Sequence, residues 1–284
     1  MYDILIVGAG PAGLAAAIKA RQCGMNALVI EKQSSDTEKI CGDGLTEKSI
    51  YTLSSLGITP ELLQLSGANE IHRSIHFVTG ERPFDIVHKK MSYFALRRCD
   101  LSLLLKDKAL SMGARIVYNT PYRSDICAGH IIDATGCQGK SHPSRGWFPV
   151  GISAIIRARA DLQYDTFYFI HHRDIDSSYC WAFPLSDELW NVGIWRHHNL
   201  RSLKKQFAAF ETSFLDKHFK QRQYVRAPRG ASLGTVGDIP PIFQDAFVCG
   251  DAAGQCDSKT GEGISNAMMG GITCIERIEN NDYA

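Results

Sequence analysis

The sequence predicts an α/β chain: a parallel sheet flanked by helices, carrying an inserted antiparallel sheet with its own covering helix. Three observations predict it. Residues Tyr2 to Val7, Pro11 to Cys23 and Asn26 to Ile30 read as strand, alanine-rich helix and buried strand, a β-α-β unit whose helix is stopped by Gly24. From Val150 the texture changes to longer strands rich in aromatic residues. Near the other terminus a short aliphatic run, Ala246 to Cys249, and a helix from about Gly263 to Ile278 return to the first texture.

Each element has its own justification. Pro11 suits the first turn of a helix, where a missing N–H costs nothing. After a polar loop holding Cys41, Gly42, Asp43 and Gly44, residues Thr46 to Leu56 read as helix, and Glu70 to Lys90 holds strand-like pieces. Leu101, Leu104, Leu105, Ala109 and Met112 repeat at helical spacing between Arg98 and Met112; Gly113 then ends the helix before a strand at Arg115 to Tyr118. His130 to Ala134 is one more parallel strand. The aromatic strands are Val150 to Ala158, Asp165 to His171, Tyr179 to Pro184 and Trp190 to Trp195. Leu200, Leu203, Phe207, Phe210 and Phe214 mark one face of a helix over 199–219, laid on that sheet. Residues 1–70, 91–149 and 230–284 are thus expected to build one discontinuous domain, with 71–90 and 150–229 forming the inserted one.

Composition narrows the function. With 284 residues and 44% apolar content, the chain is long and apolar enough for a sizeable core. Thirty-one basic against 30 acidic side chains leave a net charge of +1, so no global field gathers nucleic acid or anionic lipid. Nine cysteines without a CxxC pair or zinc-finger spacing fit free thiols in a reducing compartment, so a cytoplasmic location is expected. The most apolar stretch, Ile4 to Ile18, is shorter than the roughly 20 residues of a membrane span and contains Pro11 and three glycines. Asp3 stands where a signal peptide carries positive charge. No metal site is expected.

The most specific local signal is Gly8-Ala9-Gly10-Pro11-Ala12-Gly13 between strand and helix, with Glu31 closing the next strand. Gly8 permits the turn, Gly10 lets backbone approach a pyrophosphate, Gly13 lets helix and strand pack closely, and the helix N-terminus attracts phosphate. Glu31 can accept from a ribose hydroxyl and would repel a ribose phosphate, which points to FAD or NAD rather than NADP. The segment Cys249-Gly250-Asp251-Ala252-Ala253-Gly254 favours FAD, because it sets a carboxylate after a buried strand, where it can bond a flavin's polyol linker. Thr260-Gly261-Glu262-Gly263-Ile264 then opens a helix whose N–H groups can face the flavin pyrimidine.

These segments, together with Cys41-Gly42-Asp43-Gly44, Ala95-Leu96-Arg97-Arg98, Trp181-Ala182-Phe183-Pro184 and Asn191-Val192-Gly193, occur in the order seen in geranylgeranyl-reductase-like flavoproteins. These belong to the para-hydroxybenzoate-hydroxylase superfamily. The resemblance runs from about residue 2 to 278. It implies a Rossmann-like FAD-binding domain with an inserted antiparallel β-sheet substrate domain, and FAD facing a cavity under that sheet. The cofactor-binding residues it implies are Gly8, Gly10, Pro11, Ala12, Gly13, Glu31, Lys32, Gly42, Arg98, Asp251, Gly261, Gly263 and Ile264. Cys41, Trp181 and Phe183 are implied beside flavin or substrate. The chemistry implied is reduction of a carbon–carbon double bond in an apolar or carrier-bound substrate by hydride from reduced flavin N5. The alternative is a flavin monooxygenase or halogenase acting through a flavin hydroperoxide, and a third is an accessory flavoprotein that escorts a protein partner. Peripheral membrane contact stays open, as does the electron donor, NAD(P)H or a separate flavin reductase.

Departures from the resemblance carry their own expectations. Asp133-Ala134-Thr135-Gly136 replaces the usual Asp-Gly pair, Ser258 replaces a common proline, and Ser102 stands where an acid is common. The chain stops near the end of the last FAD-domain helix, which would leave part of a long lipid tunnel unbuilt. Cys41 reads equally as a buried small hydrophobe, and Trp181 and Phe183 equally as core. His171-His172 and His197-His198 sit on or beside strands, where neighbours point to opposite faces and cannot share a metal, so a surface or hydrogen-bonding role is expected. Lys204, Lys205, Lys217, Lys220, Arg222, Arg226 and Arg229 read as a solvated basic face or as a grip on an anionic headgroup or carrier phosphate.

Overall fold

Aliphatic β-branched runs separated by glycine turns build the first layer. The computed structural model describes residues 2–35, 39–78, 80–88, 92–137, 150–171, 179–196, 200–234, 242–243 and 245–282. Strand β1 (Tyr2–Val7) pairs in parallel with β2 (Ala27–Ile30), joined to it through helix α1 (Pro11–Gln22). Two short strands, β3 (Gly44–Leu45) and β4 (Asn69–Ile71), flank α2 (Glu47–Ser55), which Thr46 caps, and α3 (Pro60–Leu65). Then come β5 (Arg73–Val78), β6 (Phe84–Val87), β7 (Tyr93–Ala95), α4 (Arg98–Ser111), β8 (Arg115–Val117) and β9 (Ala128–Asp133). The second half holds β10 (Val150–Ala160), β11 (Thr166–His171), β12 (Tyr179–Pro184), β13 (Leu189–Arg196), α5 (Leu200–Phe210) and β14 (Phe219–Ser232). Strands β15 (Ile242–Phe243) and β16 (Ala246–Val248) lead to the C-terminal helix Ile264–Glu279.

The first sheet runs β15-β16-β9-β1-β2-β8 and is parallel except for the β15–β16 pair. Its main core sets Ile4, Ile6 and Val29 against the alanines of α1, the leucines of α4 and the C-terminal helix. Gly271 makes the crossing of that last helix over α1 possible, since a Cβ there would lie 2.1 Å from the Ala12 carbonyl oxygen. The opposite face, Leu5, Val7, Leu28 and Ile30, packs on a smaller cluster with Ile126 and Ile131.

The second sheet runs β14-β10-β13-β12-β11-β5-β6. Strict alternation gives it two apolar faces. Even-numbered residues such as Ile152, Ala182, Trp190 and Val192 pack under Leu203, Phe207, Phe210 and Phe214, as the helical spacing predicts. That helix continues through a π turn, Glu211–Leu215, and a last turn, Asp216–His218. Odd-numbered residues of β11 to β13, including Phe167, Trp181, Phe183 and Trp195, form the other face, while on β5 the parity reverses and Ile75 and Phe77 pack on the helix side.

Two features depart from expectation. The sheet is not wholly antiparallel, because β5 enters from the first half of the chain and pairs in parallel with β11. The basic stretch around Lys220 and Arg229 is a 14-residue edge strand, β14, paired to β10 through several register shifts. Arg226 there is buried, not solvated, while most of its neighbours are exposed. A third, small sheet, β3-β7-β4, interleaves in sequence with strands of both large ones and carries the Cys41 loop at its edge. No helix among the described residues is long and apolar enough to cross a membrane.

Candidate active site

Strand residues of the second sheet, together with the start of α1 and the loops that follow β9 and β16 of the first sheet, line one cavity of about 580 Å³, within the range that holds cofactors and substrates. Of the sequence-predicted residues, Gly10, Pro11, Ala12, Cys41, Gly42, Arg98, Trp181, Phe183, Asp251, Gly261, Gly263 and Ile264 line it. Gly8, Gly13, Glu31 and Lys32 do not. Gly8 and Gly13 act from behind: a Cβ on Gly13 would meet the Gly8 carbonyl oxygen at 1.9 Å, and one on Gly8, at φ +113°, the Ala134 oxygen at 2.4 Å. Gly10 faces open space, with nothing within 4 Å of an added Cβ. The pattern fits a pyrophosphate: two glycines demanded by packing and one that leaves backbone free for phosphate approach. Glu31 is tied to this turn, since its carboxylate accepts from Ala9 N at 2.9 Å and from Gln33 N at 2.9 Å. Lys32 is exposed beyond the strand end.

The far lip of the groove is built by the segment after β16. Asp251 faces the cavity with Lys39 Nζ 3.3 Å from its carboxylate, an ion pair the sequence did not reveal. Asp257 accepts from the backbone N–H groups of Lys259 and Thr260, which fixes the Gly261 loop and holds the Asp257 carboxyl below its usual range. Gly261, at φ +72°, lies against Trp195, whose ring would be 3.3 Å from an added Cβ. Glu262 accepts from Thr46 Oγ1 and Ser265 Oγ, joining this loop to the start of α2. Asp133 is held in its own turn by Thr135 N and Oγ1.

Arg98 is buried at the start of α4, where burial lowers its pKa and the nearby Cys41, Asp43 and Asp251 oppose that shift. Its guanidinium donates to Ser102 Oγ, so the residue replacing a common acid still holds this arginine. Cys41 is pushed up in pKa by burial and by Asp43, so its sulfur is a protonated thiol.

A buried polar network supports the Cys41 loop. Asp43, at φ +66°, accepts from Arg98 N at 2.9 Å and from Asn191 Nδ2 at 2.6 Å. Asn191 also donates to the Cys41 carbonyl, and its Oδ1 accepts from Trp181 Nε1 and Ser153 Oγ, each at 2.9 Å. Arg226 donates to Ser153 Oγ at 2.7 Å. The sequence displays Asp43 and Asn191 inside motifs but gives them no role; Ser153 carries no local signal, and Arg226 reads only as part of the basic stretch, not as a member of this network.

One rung of the second sheet sets the aromatic wall: Ser153, Gly193, Trp181, Phe169, His76 and Phe84 are successive cross-strand partners. Gly193 clears the way for Trp181, since a Cβ there would sit 2.1 Å from the indole. Trp181 and Phe183 are therefore both core and cavity wall. His171 lines the cavity and contacts His76 at 3.0 Å, which is the hydrogen-bonding role expected for it. His172, His197 and His198 lie outside the described residues. Among the described residues no group of three or more His, Cys, Asp or Glu is placed to hold a metal ion.

The FAD binding domain family matches residues 1–140. A digeranylgeranylglycerophospholipid reductase of Thermoplasma volcanium is 26% identical, covering 100% of this chain and 80% of its own length. A menaquinone reductase of Mycobacterium tuberculosis is also 26% identical, over 99% of this chain and 78% of its own. Among solved structures, a geranylgeranyl bacteriochlorophyll reductase-like protein of Thermoplasma acidophilum superposes with a TM-score of 0.81 at 24% identity, covering 100% of this chain and 80% of its own. A flavin-dependent brominase reaches the same TM-score at 20% identity, over 99% and 79%, and shares the fold.

Proposed function

We propose that this chain, an FAD-dependent oxidoreductase resembling the geranylgeranyl reductases, reduces a carbon–carbon double bond of an apolar substrate. One observation carries the reading: the groove of the glycine motif and the aromatic face of the second sheet are walls of the same cavity. Bound FAD supplies the hydride chemistry, and the chain's residues bind, orient and exclude water. Gly10 and the start of α1 would receive the pyrophosphate. Asp251 would meet the polyol linker, and the Gly261–Ile264 segment would face the pyrimidine edge. Trp181, Phe183, Phe167 and Trp195 would hold an apolar body over the Cys41–Gly44 loop. Relatives named as reductases of a digeranylgeranylglycerophospholipid and of menaquinone support a lipophilic substrate.

The test is anaerobic. FAD-loaded protein is reduced with NADH, NADPH or a separate reduced flavin and then mixed with prenyl candidates. Re-oxidation of the flavin together with a saturated product supports the reading. Substrate-stimulated oxygen uptake without anaerobic turnover replaces it with the monooxygenase or halogenase alternative.

A further inference from the structure

The aromatic cavity holds one polar cluster that reduction of a plain hydrocarbon does not use. Ser74 and His76 lie on β5 and His171 on β11, all lining the cavity. His76 Nδ1 is 3.0 Å from His171 Nε2, and His76 Nε2 is 3.3 Å from Ser74 Oγ. The His76 ring is sandwiched between Phe169, at 4.7 Å and 8°, and Phe84, at 5.0 Å and 4°. Further along the same wall His88 stacks on Tyr93 at 3.8 Å, and its buried Nε2 has no partner among the described residues.

The geometry fixes the character of the cluster. A ring-to-ring contact of this kind needs one N–H and one lone pair, so the two imidazoles cannot both be cationic. Burial, then the neighbouring His171, hold His76 down to about 4, so its ring is neutral near pH 7. With His76 neutral, the hydrogen-bonded chain of Ser74, His76 and His171 offers donors and acceptors without a cation on the central ring, which suits a carbonyl or hydroxyl oxygen better than a phosphate or carboxylate. Its place is also fixed. His76 lies two strands from Trp181 on one rung, about 10 Å across the sheet, and Trp181 packs against Gly42.

We propose that Ser74, His76 and His171 form the subsite for an uncharged oxygen function, a ring carbonyl or a hydroxyl, at one end of an otherwise apolar substrate. The proposal deepens the reading of the cavity as a substrate site and rests on it. The oxygen would sit at the β5 side of the sheet, with the apolar body running toward Trp181 and the double bond to be reduced.

The experiment titrates FAD-loaded protein with matched ligands, reading tryptophan emission and the flavin absorption spectrum. The ligands are geranylgeraniol, geranylgeranyl phosphate, the corresponding hydrocarbon, and a short-chain prenyl naphthoquinone as the carbonyl arm. The alcohol or the quinone, whichever carries the natural oxygen, should bind about 10-fold tighter than the hydrocarbon, and the phosphate no tighter than the alcohol. His76→Phe keeps the ring stack and should erase that preference, with FAD content retained as the check that the variant is folded. Should that variant not fold, His171→Phe makes the same comparison from the neighbouring strand. Equal binding of hydrocarbon and oxygenated ligands, tighter binding of the phosphate, no binding at all, or a preference that survives in the variants overturns the subsite. A preference that holds while anaerobic reduction fails overturns the reaction and not the subsite; reduction with no preference does the reverse.

Discussion

Asp43 occupies a left-handed turn between two glycines, and its carboxylate is buried against Arg98 N and Asn191 Nδ2. Burial raises its pKa to about 6, against the opposing pull of the Asn191 hydrogen bond and the charges of Arg226 and Arg98. The native state therefore binds more protons than the unfolded chain between about pH 4 and 6, and stability falls as pH rises through that window, by about 3 kcal/mol in all. His76 acts with the opposite sign: its lowered pKa makes the unfolded chain the better proton binder, so its contribution is lost as pH falls from 6.5 toward 4. Wild-type protein can thus look insensitive to pH where each group alone is not. Chemical denaturation of wild type and Asp43→Asn from pH 4 to 7 separates them, and the variant should lack the falling component; parallel curves would exclude an Asp43 carboxyl with a raised pKa. At Gly193 the residue argument is steric. Gly193→Ala should displace Trp181, break its bond to Asn191 and cost roughly 1–3 kcal/mol, read as a shifted tryptophan emission with a lower denaturation midpoint.

At the scale of elements, the two apolar helices should fail differently. Phe210 is buried between α5 and the second sheet, away from the cofactor groove. Phe210→Ala should cost about 3–5 kcal/mol of stability with FAD affinity nearly unchanged. Gly271→Ala should instead weaken FAD binding at least about tenfold, because its Cβ drives the C-terminal helix off α1 beside Ala12. A flavin titration beside a denaturation curve for each variant checks the contrast. What could be read from sequence divides along similar lines. The β1–α1–β2 unit declared itself through continuous apolar runs punctuated by Pro11 and glycines, and α5 through apolar residues that repeat at helical spacing and bury one face. Strand β14 did not, since an edge strand exposed on both sides has no apolar alternation to show. The β5–β11 pairing was equally silent: a parallel junction between distant segments leaves no local mark.

Over the whole molecule, the glycine motif of the proposed cofactor groove was visible in the sequence, and of the proposed substrate wall only Cys41, Trp181 and Phe183 were, for the same physical reason. Binding a pyrophosphate needs a turn, a helix start and glycines close together in the chain, so Gly8 to Gly13 carry the message locally. The substrate wall is a sheet face assembled by register, which brings His76 beside His171 and Asp43 beside Asn191 across 95 and 148 residues. The joining of these halves into one cavity is the observation on which the proposed reaction of flavin with an apolar substrate rests. The most direct measurement of that claim is a single anaerobic turnover of dithionite-reduced, FAD-loaded protein in heavy water, with a prenyl substrate and product analysis by mass spectrometry. The account predicts flavin re-oxidation matched by product that has gained two deuterium atoms for each double bond reduced. Unchanged substrate beside flavin that stays reduced until oxygen is admitted, followed by an oxygenated or halogenated product, would contradict it.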